Sequence, residues 1–249
     1  MNTIKIALLG AGTVGSGVVR TLAMNAHTIT GRSGAHIEIA KILVRDAKKH
    51  RPEAEGIALT DNFDEILNDP EISVVVEVMG GLTPAKDCML RAMAAGKHVV
   101  TANKDVIAQH LTELYTTANE NHVDFLYEAS VGGGIPILMP LHQSLAANQI
   151  ESIVGILNGT TNYILSQMTE TGVNYANALA DAQKQGFAEA DPTNDVCGFD
   201  AARKIAILAK LGFHAYVNVK DVSIEGIEGV TKEDIAHATA MGYAIKLLA

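Results

Sequence analysis

The stretch Ile4-Lys5-Ile6-Ala7-Leu8-Leu9-Gly10-Ala11-Gly12-Thr13-Val14-Gly15 decides the fold. Residues 4–9 form a short, nearly continuous apolar run, which predicts a buried strand. Glycines follow at once in a G-x-G-x-x-G spacing. Val14, Val18 and Leu22 then repeat every four residues and predict a helix to about residue 24. In that context Gly10 permits the tight turn, Gly12 lets the backbone approach a pyrophosphate, and Gly15 lets helix and strand pack closely. The helix N-terminus, from Thr13 and Val14 onward, offers free amides and a partial positive charge to an anion. A glycine turn that binds nothing is the plain alternative.

Working outward, strand and helix signals alternate. Residues 25–35 are polar, with Gly31 and Gly34, and read as a loop. Residues 37–44 read as a second strand. Asp61 can cap a short helix over 62–67. Residues 72–79 are β-branched and flat in hydrophobicity, as expected of a central parallel strand buried on both faces. Pro84 opens a helix that Gly96 ends. Residues 98–101, 106–121 and 123–127 read as strand, helix and strand. This order predicts an α/β fold with a doubly wound parallel sheet of the Rossmann type over residues 1–130. The glycine-rich stretch Ser130-Val131-Gly132-Gly133-Gly134-Ile135-Pro136 marks a boundary. Residues 131–249 read as an α+β unit of lower strand regularity. It has a strand at 149–157 and helices at 163–169, 175–185 and 199–211. A last helix spans 237–249 and has no terminal cap. That ending predicts a longer sequence and an incomplete second unit.

Composition narrows the function classes. The 249 residues are 48% hydrophobic and 19% charged, so a large core is available and disorder is excluded. The formal net charge of −9 gives no global attraction to nucleic acid or to an anionic membrane. Two cysteines, Cys88 and Cys197, exclude a disulfide scaffold and a four-cysteine zinc site. No apolar run reaches the ~18 residues of a membrane span. The N-terminus lacks a signal-peptide plan, so the expected setting is reducing and cytoplasmic.

Residues after the second strand bear on the cofactor. In Val44-Arg45-Asp46-Ala47-Lys48-Lys49, Arg45 has the planar fork for a 2′-phosphate, which favours NADP; Asp46 holding a ribose would favour NAD. Lys104, just after residues 98–101, stands where ligands of parallel sheets bind. It suits a carbonyl oxygen, a carboxylate or the nicotinamide end, or it is a helix-start residue facing water. In the second half, Asp200 and Lys204 are four apart and share a helix face. A carboxylate there favours the ammonium, which can protonate a carbonyl oxygen as hydride arrives. An ordinary surface pair is the alternative. The acid-rich 186–195 stretch beside it suits a cationic group.

At these residues the chain resembles the homoserine dehydrogenases. The resemblance rests on the opening glycine motif and Thr101-Ala102-Asn103-Lys104. It continues through Tyr127-Glu128-Ala129-Ser130-Val131-Gly132-Gly133-Gly134-Ile135-Pro136 and Leu157-Asn158-Gly159-Thr160-Thr161-Asn162-Tyr163. Gly186-Phe187-Ala188-Glu189-Ala190-Asp191-Pro192 and Gly198-Phe199-Asp200-Ala201-Ala202-Arg203-Lys204 complete it. It implies interconversion of aspartate 4-semialdehyde and homoserine with NAD(P)H. Lys204 is then the proton donor, assisted by Lys104. Glu189 and Asp200 hold the substrate, with Asp195 near its polar end, and Gly186 lies against the cofactor. Glu128, Val131, Gly133 and Ile135 match a sodium site. The resemblance also implies a homodimer, to which residues 149–157 would contribute. Family members run longer, so weak or absent activity is expected of these 249 residues alone.

Two alternatives stay open. Gly96-Lys97-His98-Val99-Val100 also resembles the glucose–fructose oxidoreductase group, although that group usually continues Glu-Lys-Pro where this chain has Ala102-Asn103-Lys104-Asp105. The other alternative is a module that binds nucleotide without turnover.

Overall fold

The computed structural model describes residues 2–249. It falls into two compact units, one ending at Gly134 and the other spanning Ile135–Ala249.

In the first unit, β1 (Asn2–Leu9) leads through Gly10 into α1 (Thr13–Met24). Then follow α2 (Ala26–Ser33), β2 (Ala35–Leu43), β3 (Ala58–Thr60), α3 (Asp64–Leu67) and β4 (Ile72–Glu77). The unit closes with α4 (Ala85–Ala94), β5 (His98–Thr101), α5 (Lys104–Glu120) and β6 (Phe125–Leu126). All strand pairs are parallel, in the order β3-β2-β1-β4-β5-β6. The order reverses between β1 and β4, so a crevice opens beyond their carboxyl ends. Ala7, Leu8, Leu9 and Val75 are fully buried, as expected of central strands covered on both faces.

Two local expectations change in this unit. The polar 25–35 segment is helix α2 rather than loop. It buries no residue, so it shows no apolar periodicity, and its one sequence signal is Gly34 as a left-handed C-cap. Asp61 does not cap α3. Thr60 Oγ1 accepts from the Asn62 amide and Asn62 Oδ1 accepts from the Asp64 amide, so the start is set by two successive turns.

The second unit holds α6 (Gly159–Thr171), α7 (Tyr175–Gln185), α8 (Thr193–Val196), α9 (Phe199–Gly212) and α10 (Lys232–Ala240). Ile164, Leu165, Met168, Ala182, Val196 and Ile227 form its core. The strand expected at 149–157 forms no ladder among the described residues. Only Gly155 is paired, exchanging both backbone bonds with Ala249 at 2.9 Å. Apolar β-branched residues favour extension, but a strand exists only where a neighbour accepts its backbone groups. The helix expected over 237–249 is also displaced. It starts earlier, at a capping box between Thr231 and Asp234. It ends at Ala240 because Gly242 turns left-handed (φ 80°). Leu247 then packs on the core, and Lys246 Nζ donates to Asn162 Oδ1 and Ser166 Oγ, each at 2.8 Å.

Candidate active site

The glycine loop has the form its residues dictate. Gly10 has φ 105°, open to glycine alone without strain, and a Cβ there would lie 3.0 Å from the Val78 carbonyl oxygen. A Cβ on Gly15 would meet the Gly10 carbonyl oxygen at 2.2 Å, so α1 could not approach the loop with any side chain there. Above Gly12 a Cβ would find no atom within 4 Å. Thr13 and Val14 are exposed, and no side chain caps α1. Among the described residues no side chain accepts from the first-turn amides, which fits a dinucleotide pyrophosphate. Arg45 is exposed just beyond β2, while Asp46 is engaged by the Lys48 amide at 2.9 Å.

The carboxyl ends of β4 and β5 are tied together by a residue that sequence reading passed over. Glu77 is fully buried. Its Oε1 accepts from the Met79 amide at 2.7 Å and its Oε2 from the Thr101 hydroxyl at 2.7 Å. Thr101 Oγ1 in turn accepts from the Asn103 amide at 3.0 Å. The Asn103 side chain donates to the Gly81 carbonyl at 2.8 Å and accepts from the Val106 amide as cap of α5. Lys104 is the first residue of α5 and is half-buried, so this chain of bonds sets its backbone. An acid in an otherwise apolar strand was the available signal for Glu77.

In the second unit the structure brings Asp195, Asp200 and Lys204 together. Lys204 Nζ lies 2.6 Å from Asp200 Oδ2 and donates to the Leu157 carbonyl at 2.8 Å. Its side chain is 18% exposed and that of Asp200 only 4%, so this is not a solvated surface pair. An ammonium has three donors, and these acceptors take two. Asn158, also missed, joins the acids: its Nδ2 donates to Asp195 Oδ1 at 2.7 Å and Asp200 Oδ2 at 2.9 Å. Asn before a helical run was a readable cap signal, but its second role depends on where α8 and α9 lie.

Glu189 is exposed, and no hydrogen bond among the described residues joins its carboxylate to this cluster; its backbone carbonyl accepts from Gln183 Nε2 at 3.1 Å. Gly186 is the left-handed C-cap of α7 (φ 80°) and is exposed. Phe187 beside it stacks on Tyr163 with centroids 4.4 Å apart, and the Phe187 carbonyl accepts from Thr160 Oγ1. These contacts tie the loop to the start of α6. In the glycine-rich segment Glu128 is half-buried, Val131 is buried, and Gly133 and Ile135 are exposed. Ser130 Oγ is buried without a hydrogen-bond partner among the described residues. Neither cysteine is an activated nucleophile. Burial pushes the Cys88 thiol up to about 11, and Cys197 is raised by its hydrogen bond to Glu228 Oε2.

A 3-2-1-4-5-6 parallel sheet with an open glycine loop at its reversal point defines a dinucleotide-fold protein, here followed by a unit carrying a lysine–carboxylate cluster. Residues 10–128 match the family model described as the homoserine dehydrogenase NAD binding domain, and residues 136–249 match the homoserine dehydrogenase model. A homoserine dehydrogenase of Synechocystis sp. is 53% identical over 99% of the chain. The crystal structure of a homoserine dehydrogenase from Thiobacillus denitrificans superimposes with a TM-score of 0.94 at 44% identity, over 100% of the chain and 57% of its own. A structure from Archaeoglobus fulgidus gives a TM-score of 0.87 at 33% identity, with the chain covering 79% of it. The chain belongs to the homoserine dehydrogenase family. It spans a little over half the length of the curated relatives it matches, 57% for the Synechocystis protein.

Proposed function

We propose that the protein containing this chain is an NAD(P)-dependent homoserine dehydrogenase, interconverting L-aspartate 4-semialdehyde and L-homoserine. The observation that carries this reading is the partly buried Lys204 ammonium, held by a carboxylate and a carbonyl with one donor left for a ligand. A nicotinamide, when bound, supplies or takes up the hydride. In the reducing direction Lys204 polarises the aldehyde oxygen and gives it a proton; in the reverse direction the amine takes the proton back from the hydroxyl. Lys104 assists at the oxygen. Asp195, Asp200 and Glu189 serve the substrate, whose ammonium suits the acids.

Gly10, Gly12, Thr13, Val14 and Gly15 hold the pyrophosphate, with Gly186 and Lys104 also against the cofactor. Exposed Arg45, beside an Asp46 already engaged, supports NADP over NAD. A sodium ion at Glu128, Val131, Gly133 and Ile135 is part of the same reading, and the orphaned Ser130 hydroxyl supports an oxygen-rich site. Residues 1–130 are the cofactor domain and 131–249 belong to the substrate domain. The reading includes a homodimer, a cytoplasmic setting and a role in making threonine, methionine and isoleucine. No helix of the described residues is long and apolar enough to cross a membrane.

The test is NADPH oxidation by the intact protein with aspartate semialdehyde, and the reverse reaction with homoserine. Turnover with these substrates supports the reading; cofactor binding with no turnover overturns it.

A further inference from the structure

We infer that Asn158 is a positioning residue of the candidate site, holding both restraints on Lys204 and joining the two acids beside it. The inference rests on the function proposed above. Asn158 is buried at the N-terminus of α6. Its Oδ1 accepts from the Thr161 amide at 2.9 Å and from the Thr161 hydroxyl at 3.0 Å. That fixes the orientation of the amide, and Nδ2 must face the other way. There it donates one N–H to Asp195 Oδ1 on α8 and the other to Asp200 Oδ2 on α9. An amide nitrogen has only two donors, so both are used.

Both acceptors of the Lys204 ammonium depend on this residue. One is Asp200 Oδ2, the oxygen that Asn158 also binds. The other is the carbonyl of Leu157, which shares a peptide group with Asn158. Two neighbouring carboxylates repel, and a hydrogen-bond donor shared between them offsets that repulsion and fixes their spacing. Asn158 therefore stitches α6, α8 and α9 around one ammonium. A simple cap would need only Oδ1.

That difference supplies the test. Asn158→Ser and Asn158→Asp both keep an oxygen able to cap α6. Serine lacks the bridging donors, and aspartate turns them into a third acceptor facing the two acids. If Asn158 positions the cluster, Asn158→Ser recovers the melting temperature lost in Asn158→Ala, yet kcat/KM for homoserine in the intact protein falls roughly 10- to 100-fold in both capped variants. NADPH affinity stays within about twofold, because Asn158 is not among the residues assigned to the cofactor. Asn158→Ser turning over within about threefold of the unsubstituted protein overturns the inference and leaves Asn158 as a cap. An unsubstituted protein with no homoserine turnover instead overturns the dehydrogenase reading, and this inference with it. The two failures are therefore distinct.

Discussion

Lys204 Nζ sits 2.6 Å from Asp200 Oδ2, one helical turn apart on α9, with the carboxylate almost wholly removed from water. A buried carboxylate without its cation is costly, so the pair acts as a unit. Charge and geometry together keep the ammonium in place without exhausting its donors. A surface pair at the same spacing would do neither.

Lys204→Ala is expected to lower homoserine turnover by about 10²- to 10⁴-fold, the usual contribution of a positioned proton donor. It also leaves Asp200 with one partner fewer and lowers stability by roughly 1–3 kcal/mol. Cofactor affinity is expected to change little. Steady-state kinetics, thermal melting and NADPH fluorescence titration check the three parts.

The glycine loop separates a packing role from a binding role. Gly15→Ala drives a Cβ into the Gly10 carbonyl, a backbone atom that cannot rotate away. Overpacking of this kind costs roughly 1–3 kcal/mol, and melting should show it. Gly12→Ala meets nothing, so the fold is expected to keep its melting temperature while NADPH affinity drops. A Gly12→Ala protein that binds NADPH normally would remove the pyrophosphate from this loop.

Arg45 stands exposed beyond β2. Charge-assisted bonds to a phosphate contribute about 1.5–3 kcal/mol, so Arg45→Ala is expected to weaken NADPH by roughly tenfold or more and leave NADH nearly unchanged. Titrating both cofactors against both proteins decides between them. An equal loss for the two would point to Asp46 and a ribose.

Lys97 is a buried lysine whose Nζ donates to the carbonyls of Asp69 at 2.8 Å and Ile72 at 2.6 Å. Desolvation lowers its pKa, and the nearby Asp69 charge only partly offsets this. The unfolded chain therefore binds the proton more tightly than the folded one. Stability attributable to Lys97 rises with pH between its depressed folded value and the ordinary lysine range. Relative to Lys97→Met, the native protein should gain stability across that alkaline window, measured by urea unfolding at several pH values. Near neutral pH the variant removes one donor from each of these two carbonyls and is expected to lose roughly 1–3 kcal/mol.

Much of the site was legible because local chemistry dictates it. Gly10, Gly12 and Gly15 answer steric demands made within a few residues, and Asp200 with Lys204 needs only helical spacing. The Rossmann order followed from strands alternating with helix-length crossovers. Glu77 and Asn158 were not legible as site residues. Their partners lie 24, 37 and 42 positions away along the chain, and no spacing rule reports such pairs. Residues 149–157 failed in the opposite sense, since their composition favours extension and pairing decides whether a strand forms. Residues 237–249 were expected as one helix, whereas Gly242 ends it and Ile245 and Leu247 of the tail pack against the core outside any helix.

By itself, the sequence determined what short-range sterics and periodicity control: the glycine turn, the alternation of strands and helices through the first unit apart from α2 and β3, and the helical register that pairs Asp200 with Lys204. Tertiary structure alone decided which polar groups lose their water and meet one another. Burial of Glu77, the amide bridge from Asn158 to two acids, and the pairing of Gly155 with Ala249 in place of a strand ladder all depend on where distant segments come to rest. Hydrogen bonds in a desolvated interior are set by that meeting in space, which neighbours in the chain do not specify.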